Sequence, residues 1–543
     1  MTAVLSLQVS PSAAPNPREV AARLTGRGGP FEILRDETGR PLSFAAVPHS
    51  WADICRRALN APDRPFCGPE PDLSTRSMVR QALALAKALQ ADGCGRGERI
   101  GLGAANGPAW IIGFLGIMLS GSVATLLPLS EDEELTALLA AKCGLRALVC
   151  DAGFRYGRFE KTLATVRRLD HLPDGDPRWT SSDIDPIIPD AEALIAFTSG
   201  STGLPKAALF THAASVAALK GMILSAAIAA RTRPRPPGTV ASGPSKTLIA
   251  SHLSHVSGYA QIGLALMIGG QIVVTPQTSD MALVDLLRHE QATSVTGLPV
   301  SAIKALVRSA TYSPFPALRA VGFHGAAIDE RLREELNAVC TPAQVVTGYG
   351  LTETGGGIAV ADQSDTDEAG QLGRPTPCVE AEVRNDAGDA LAPGEAGRLW
   401  LRGASLMQGY LGEPPLSTVD GWHDTGDVAY LDEAGRIFLH ARADEAFGAQ
   451  WTICAHRAAK LVQAQAWVDE AAAVLVSDGS GAPTIYIFVT VALGAVAGPL
   501  EEAGPELANC SLHVVDIMPR TAAGKVDMAR LKQYGGRANA TPG

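Results

Sequence analysis

Residues 194–212 read LIAFTSGSTGLPKAALFTH, and nothing else in the chain constrains its fold as tightly. Two apolar runs of strand length enclose Thr198, Ser199, Gly200, Ser201, Thr202 and Gly203, with Pro205 and Lys206 directly after. The flanking runs require two buried strands. The small residues between them let successive backbone N–H groups converge on one point, a concavity that binds anions, and the loop hydroxyls and Lys206 add donors. That chemistry suits a polyphosphate. The loop is not a Walker A loop, which needs G-x-x-x-x-G-K-[ST]. A flexible Ser/Gly linker would not be set between two strand-like runs.

The rest of the composition bounds the class. The chain has 543 residues, 46% of them hydrophobic, with 46 Lys+Arg against 56 Asp+Glu and a net charge of −10. Length alone suggests roughly three or four ordinary domains. The apolar share excludes wholesale disorder, and the acidic balance argues against a nucleic-acid partner, which needs clustered Lys and Arg. The nine cysteines are scattered without a C-x-x-C pair, which fits neither a disulfide framework nor a zinc site. Reduced thiols and a cytoplasmic location are the expectation. The N-terminal residues show no basic region leading into an apolar run, so no signal peptide is expected. Residues 108–129 carry no charge and are long enough for a bilayer. Gly116, Ser120, Gly121 and Ser122 punctuate them, which favours a buried helix feeding a buried strand over a membrane span.

Along the chain, helix-like periodicity at residues 77–92 is followed by alternating helix and strand patterns, with apolar runs such as ALVC, TLIAS and GQIVVT. Alternation of this kind predicts open, largely parallel sheets flanked by helices. Residues 232–246 form a Pro/Gly/Ser surface loop. After Gly397 strands and turns become shorter, and DEAG between VAYL and RIFLH reads as a hairpin.

The phosphate loop resembles the signature of the adenylate-forming superfamily, which includes acyl-CoA synthetases, adenylation domains of peptide synthetases and firefly-type luciferases. Four further blocks match in the family's order: GYGLTE at 348–353, WHDTGD at 422–427, Arg442 with Asp444 at the hinge block, and PRTAAGK at 519–525. The resemblance implies an α/β fold. A large multi-subdomain N-terminal domain of stacked sheets flanked by helices would cover residues 1–443, and a small mobile α+β C-terminal lid domain residues 444–543. It also implies roles. Triphosphate needs Mg²⁺, held by few protein oxygens, for which Glu353 and the Thr202 hydroxyl are the candidates. Thr198, Ser199, Gly200, Ser201, Thr202, Gly203 and Lys206 would cradle ATP. Asp427 would accept from the ribose hydroxyls with Arg442 in support. Tyr349 would face adenine, beside Gly350, Thr352 and the small-residue wall Gly325, Ala326 and Ala327. Lys525 would bridge the attacking carboxylate and the α-phosphate. HLSHVSG resembles the family's acyl-pocket block, making His255, Ser257, Gly258 and Tyr259 candidate lining, with His255 either a gate or a satisfied core histidine.

One stretch departs from the family. Where members carry paired glycines after the hinge, this chain has Gln450 and Trp451. Glycine there permits close backbone approach to pantetheine, which a Trp side chain would obstruct or reshape. The expected activity is therefore an AMP-forming acyl-CoA ligase joining a carboxylic acid, which could be bulky, to coenzyme A through acyl-AMP. Two alternatives stay open: a half-reaction enzyme of a bacterial natural-product pathway, and a non-catalytic nucleotide- or acyl-binding homologue. The expected partners are small molecules, with a homodimer among the assemblies to be considered.

Overall fold

The uncharged stretch at 108–129 divides where its small residues demand. Helix Pro108–Leu119 opens on a proline, whose missing N–H falls where a helix needs none, and stops at Ser120, whose hydroxyl donates to the Ile117 carbonyl at 2.7 Å. Apolar on all sides, it is buried on nearly all sides, and it feeds the wholly buried strand Val123–Leu126. Phe114 on this helix meets Trp51 edge-on at 4.9 Å and stacks on Trp110 at 5.4 Å. Burying each such ring contributes about 2–3 kcal/mol.

The computed structural model describes residues 15–538 except 69–72, 129–131, 156–162, 164, 173, 199–203, 233–244, 277–278, 313, 325–329, 340–343, 363–370, 414–420, 443–445, 448–452, 464, 477–483, 493, 500–506, 508–509 and 521–525. Val123–Leu126 belongs to a seven-stranded sheet, in the order Gly409–Tyr410, Ala207–Thr211, Glu192–Phe197, Val123–Leu126, Arg99–Gly103, Ala147–Cys150 and Thr165–Arg168. The last five are parallel. Ala207–Thr211 turns back antiparallel on Glu192–Phe197, with Ala207 opposite Phe197. The two runs around residues 198–206 are thus neighbouring strands.

A thirteen-stranded sheet forms the second layer. Its parallel half runs from Pro65–Gly68 through Gln271–Val274, Lys246–Ile249, Ser294–Thr296 and Ala320–His324 to Gln344–Leu351. Beyond Gln344–Leu351 the neighbours are antiparallel: Gly356–Asp362, Gln371–Pro375, Ile437–Arg442, His423–Leu431, Gly397–Gly403 and Val379–Arg384. Largely parallel sheets were the sequence expectation, and only about half of this one obeys it. The reason is connection length, since short turns join antiparallel strands and a parallel crossover needs a dozen residues or more. The DEAG hairpin forms, with Leu431 opposite Ile437.

From residue 453 onward a three-stranded sheet places Thr484–Val491 between Val468–Val476 and Cys510–Val514, accompanied by helices Ala455–Gln463 and Met528–Ala538. This small α+β unit has buried clusters of its own, one around Ile487 and Val489, the other around Val474 and Phe488. The molecule is therefore one large composite unit plus one small one, rather than the three or four suggested by length. Asp444, the expected hinge, lies outside the described residues. Helix His212–Thr232 is long and apolar enough to cross a membrane, yet 61% of its apolar window is buried inside the molecule.

Candidate nucleotide and acyl site

Thr198 pairs with Lys206 across the ends of the expected phosphate loop. Its N–H donates to the Lys206 carbonyl at 2.9 Å, and its hydroxyl accepts from the Lys206 N–H at 3.1 Å. Ser199, Gly200, Ser201, Thr202 and Gly203 lie outside the described residues. The exposed Lys206 ammonium stands 4.6 Å over the Tyr410 ring and 3.6 Å from Glu413 Oε1.

Glu353 rides on the short turn Thr352–Thr354, which follows Gln344–Leu351. Gly350 permits that turn to return so closely that a Cβ there would fall 2.2 Å from the Gly356 carbonyl oxygen. The buried Thr354 hydroxyl ties the turn internally, accepting from Leu351 N–H at 3.0 Å and lying 2.8 Å from the Gly356 carbonyl. The Glu353 carbonyl accepts from Met407 N–H at 2.9 Å, and Tyr410, on the edge strand beside Ala207–Thr211, donates its hydroxyl to Glu353 Oε1 at 2.5 Å. Burial and the Glu353 charge push the Tyr410 phenol well above its ordinary range, so it stays a donor. His423 is 7% exposed, and burial lowers its pKa although the charges of Glu353 and Asp424 pull upward.

Asp427 is the centre of the second cluster. Strand pairing sets it directly opposite Arg442, and the guanidinium donates to Oδ1 at 2.8 Å. Tyr349 donates to Oδ2 at 2.5 Å. Asp427 is 3% exposed, and burial pushes its carboxyl up while Arg442 and Tyr349 pull it back. Burial, then the Asp427 charge, drives the Tyr349 phenol upward. Gly426, with φ +73°, supplies the left-handed kink before Asp427, and the Thr425 hydroxyl accepts from Asp427 N–H at 3.1 Å while donating to the Leu399 carbonyl. Each Asp427 oxygen has one described partner and keeps acceptor capacity for another donor. Glu353 is close enough for its charge to act on Asp427.

The acyl candidates follow strand Lys246–Ile249. His255 is the extended residue before helix Val256–Ile268, and Ser257 donates to Ser251 Oγ at 3.1 Å. Gly258 allows close approach, since a Cβ there would lie 2.5 Å from the His252 carbonyl oxygen. Tyr259 is 1% exposed, its ring 6.0 Å from Phe114, and its hydroxyl has no hydrogen-bond partner among the described residues. The structure places Tyr259 in the aromatic core and not on an open surface. Asn106 pins this segment to the first sheet, donating to the Ser251 carbonyl at 3.0 Å and accepting from Leu253 N–H at 2.8 Å. His255 follows the carboxyl end of strand Lys246–Ile249 and Tyr349 lies toward that of Gln344–Leu351, the ends at which open α/β sheets bind ligands. Gly325, Ala326, Ala327, Gln450, Trp451 and Lys525 lie outside the described residues.

Comparison with known proteins decides the family. The model of the AMP-binding enzyme family matches residues 55–411, well over half of the chain. The chain belongs to this adenylate-forming family. A 4-coumarate–CoA ligase-like protein of Arabidopsis thaliana is 32% identical over 264 residues, covering 47% of this chain and 44% of that protein. A p-hydroxybenzoic acid–AMP ligase of Mycobacterium tuberculosis is 27% identical over 482 residues, covering 85% of this chain and 65% of that protein. The matches thus span from under half to just under two-thirds of these relatives. Among solved structures, the o-succinylbenzoate CoA synthetase of Bacillus subtilis superposes with a TM-score of 0.75 at 21% identity, over 89% of this chain and 98% of that one.

The chain is a member of the AMP-binding enzyme family, and the observed donors suit nucleotide chemistry. Among the described residues no group of three or more His, Cys, Asp or Glu could hold a metal by itself. One carboxylate such as Glu353 fits a Mg²⁺ ion that takes its other oxygens from phosphate and water. Tyr410, His423 and Asn106 were not singled out by sequence. Tyr410 lies in LMQGYLG and His423 inside WHDTGD, so the motifs contained two of them, but which side chains face Glu353 depends on strand pairing.

Proposed function

We propose that this ligase activates a carboxylic acid of the aromatic class with ATP and passes the acyl group to coenzyme A. The observation that carries the reading is the buried Asp427 carboxylate, held by Tyr349 and Arg442 with acceptor capacity to spare, within electrostatic reach of the Tyr410-held Glu353. That pairing supplies an acceptor for a sugar diol and a carboxylate for a phosphate-bound cation. Bound Mg²⁺ would neutralise triphosphate charge. The acid's carboxylate oxygen attacks the α-phosphorus, the bond to the β-phosphate oxygen breaks and pyrophosphate leaves. The coenzyme A thiol then attacks the acyl carbon, loses its proton and releases AMP. In this reading Thr198 and Lys206 hold the phosphate loop, and Lys525 stabilises charge in the first transition state. His255 faces the acyl group, and residues 444–543 act as a lid about Asp444 that assembles each step in turn. The aromatic class is supported by the acids in the relatives' names, coumarate, p-hydroxybenzoate and o-succinylbenzoate.

A second reading, adenylation for an acceptor other than coenzyme A, is favoured by Gln450 and Trp451 in place of the paired glycines and by an AMP ligase among the relatives. Pyrophosphate release and CoA-thioester formation, measured side by side on a panel of aromatic acids, separate the two. Matched rates support the full ligase. Pyrophosphate release without thioester supports the second reading, and neither product with any acid overturns both.

A further inference from the structure

Lys220 lies in the middle of the apolar helix His212–Thr232 and is 6% exposed. Lysine is almost never buried to this degree without a counter-charge. Its ammonium donates to the Ala46 carbonyl and stands 5.3 Å from the Phe44 ring centroid, and no carboxylate pairs with it among the described residues. The acid acting on it, Asp53, is already engaged: Oδ2 accepts from His49 and Ser50 N–H, both at 3.0 Å, and Oδ1 from Arg56 at 2.8 Å. A second cation stands nearby. Arg57 is exposed and donates to the Val47 carbonyl at 3.0 Å.

Lys220 and Arg57 border one cavity of about 140 Å³, whose remaining walls include Pro30, Phe31, Phe44 and Val47. A dry apolar cavity of about 150 Å³ is known to hold a benzene ring. None of these residues belongs to the nucleotide or acyl segments. The walls therefore combine an apolar surface with two cations and no described counter-anion. Burial, then the charge of Arg57, pushes the Lys220 ammonium down to about 8, the direction expected of a cation short of negative partners.

We propose that this cavity is a second ligand site that takes a small apolar carboxylate, with Lys220 and Arg57 binding the carboxylate and the Phe31 and Phe44 walls receiving the ring or short chain. The ammonium has two further N–H donors to offer, and burial makes each charge-assisted hydrogen bond stronger than it would be in water.

Soaking crystals of the full chain with 4-bromobenzoate locates the ligand by the anomalous signal of bromine, and calorimetry with benzoate and neutral benzamide measures recognition of charge. The expected result is a bromine peak in the cavity, lost in Lys220→Met. Benzamide should bind this site about tenfold or more weaker than benzoate. Arg57→Gln, at the exposed mouth, should weaken binding severalfold and decides the matter if Lys220→Met fails to fold. No peak in the cavity, or a peak and affinity indifferent to both substitutions, overturns the proposal. Bromine found only beside His255 overturns it too while leaving the proposed function standing.

Discussion

On the proposed nucleotide side, polar groups come in satisfied pairs: Asp427 with Tyr349 and Arg442, Glu353 with Tyr410, Thr425 with the Leu399 carbonyl. On the proposed acyl side the polar atoms are few and partly orphaned, with the Tyr259 hydroxyl and His212 Nε2 both buried without a hydrogen-bond partner among the described residues. The first arrangement holds donors and acceptors in fixed directions before a ligand arrives, which is what charge recognition requires. The second relies on close packing around Trp51, Phe114 and Tyr259, where apolar contact supplies the stability. Activity should therefore be sensitive on one side and stability on the other.

The largest expected effect breaks the paired side. Asp427→Asn preserves shape, removes the charge facing Arg442 and puts an amide where Tyr349 donates. The KM for ATP should rise about hundredfold, the equivalent of about 3 kcal/mol. A KM within a factor of two of the original would remove Asp427 from nucleotide binding.

Next comes acid sensitivity, which should originate on the dry side. His212 is wholly buried, its Nδ1 3.5 Å from Trp51 N–H, and burial lowers its pKa from 6.5 to about 4. His252 is lowered to about 4 for the same reason. The folded imidazole stays neutral, so below pH 6.5 the unfolded chain binds the proton first. Stability is then full above about pH 6.5, falls as pH drops toward 4 and levels off below. His212 alone accounts for about 3 kcal/mol across that window. Urea unfolding midpoints between pH 7.5 and 4.5 should show the decline, with a shallower slope in His212→Gln. An unchanged slope would locate the acid sensitivity elsewhere.

The smallest effect sharpens the contrast. Tyr259→Phe removes a hydroxyl that has no described partner, and stability should hold or rise by less than about 1 kcal/mol. The acid preference should not move. A shifted preference across a panel of acids would mean that the ring reaches the acyl pocket after all.

Much of the cluster around Asp427 and Glu353 was legible from local order. GYGLTE and WHDTGD each contain their glycine and their carboxylate within six residues, and backbone geometry over such a span is set locally: Gly350 by close approach to Gly356, Gly426 by its positive φ. Tyr410 was not legible, because it meets Glu353 only through pairing of Gly409–Tyr410 with Ala207–Thr211, about two hundred residues away. Tyr259 sits among pocket candidates in sequence, yet the helix turns it toward Phe114. Nor does any local pattern mark Lys220, whose cavity is assembled from segments near residues 30, 45, 57 and 220.

By itself the sequence determined the family, the two neighbouring strands that flank residues 198–206 and the identity of the main polar groups, since these depend on residue type and short spacing. The tertiary structure alone decided which carboxylates are held and by whom, where parallel pairing ends and antiparallel begins, and that a lysine is buried beside a cavity. Those outcomes depend on contacts between segments distant along the chain, and burial changes what each charge does once the contacts are made.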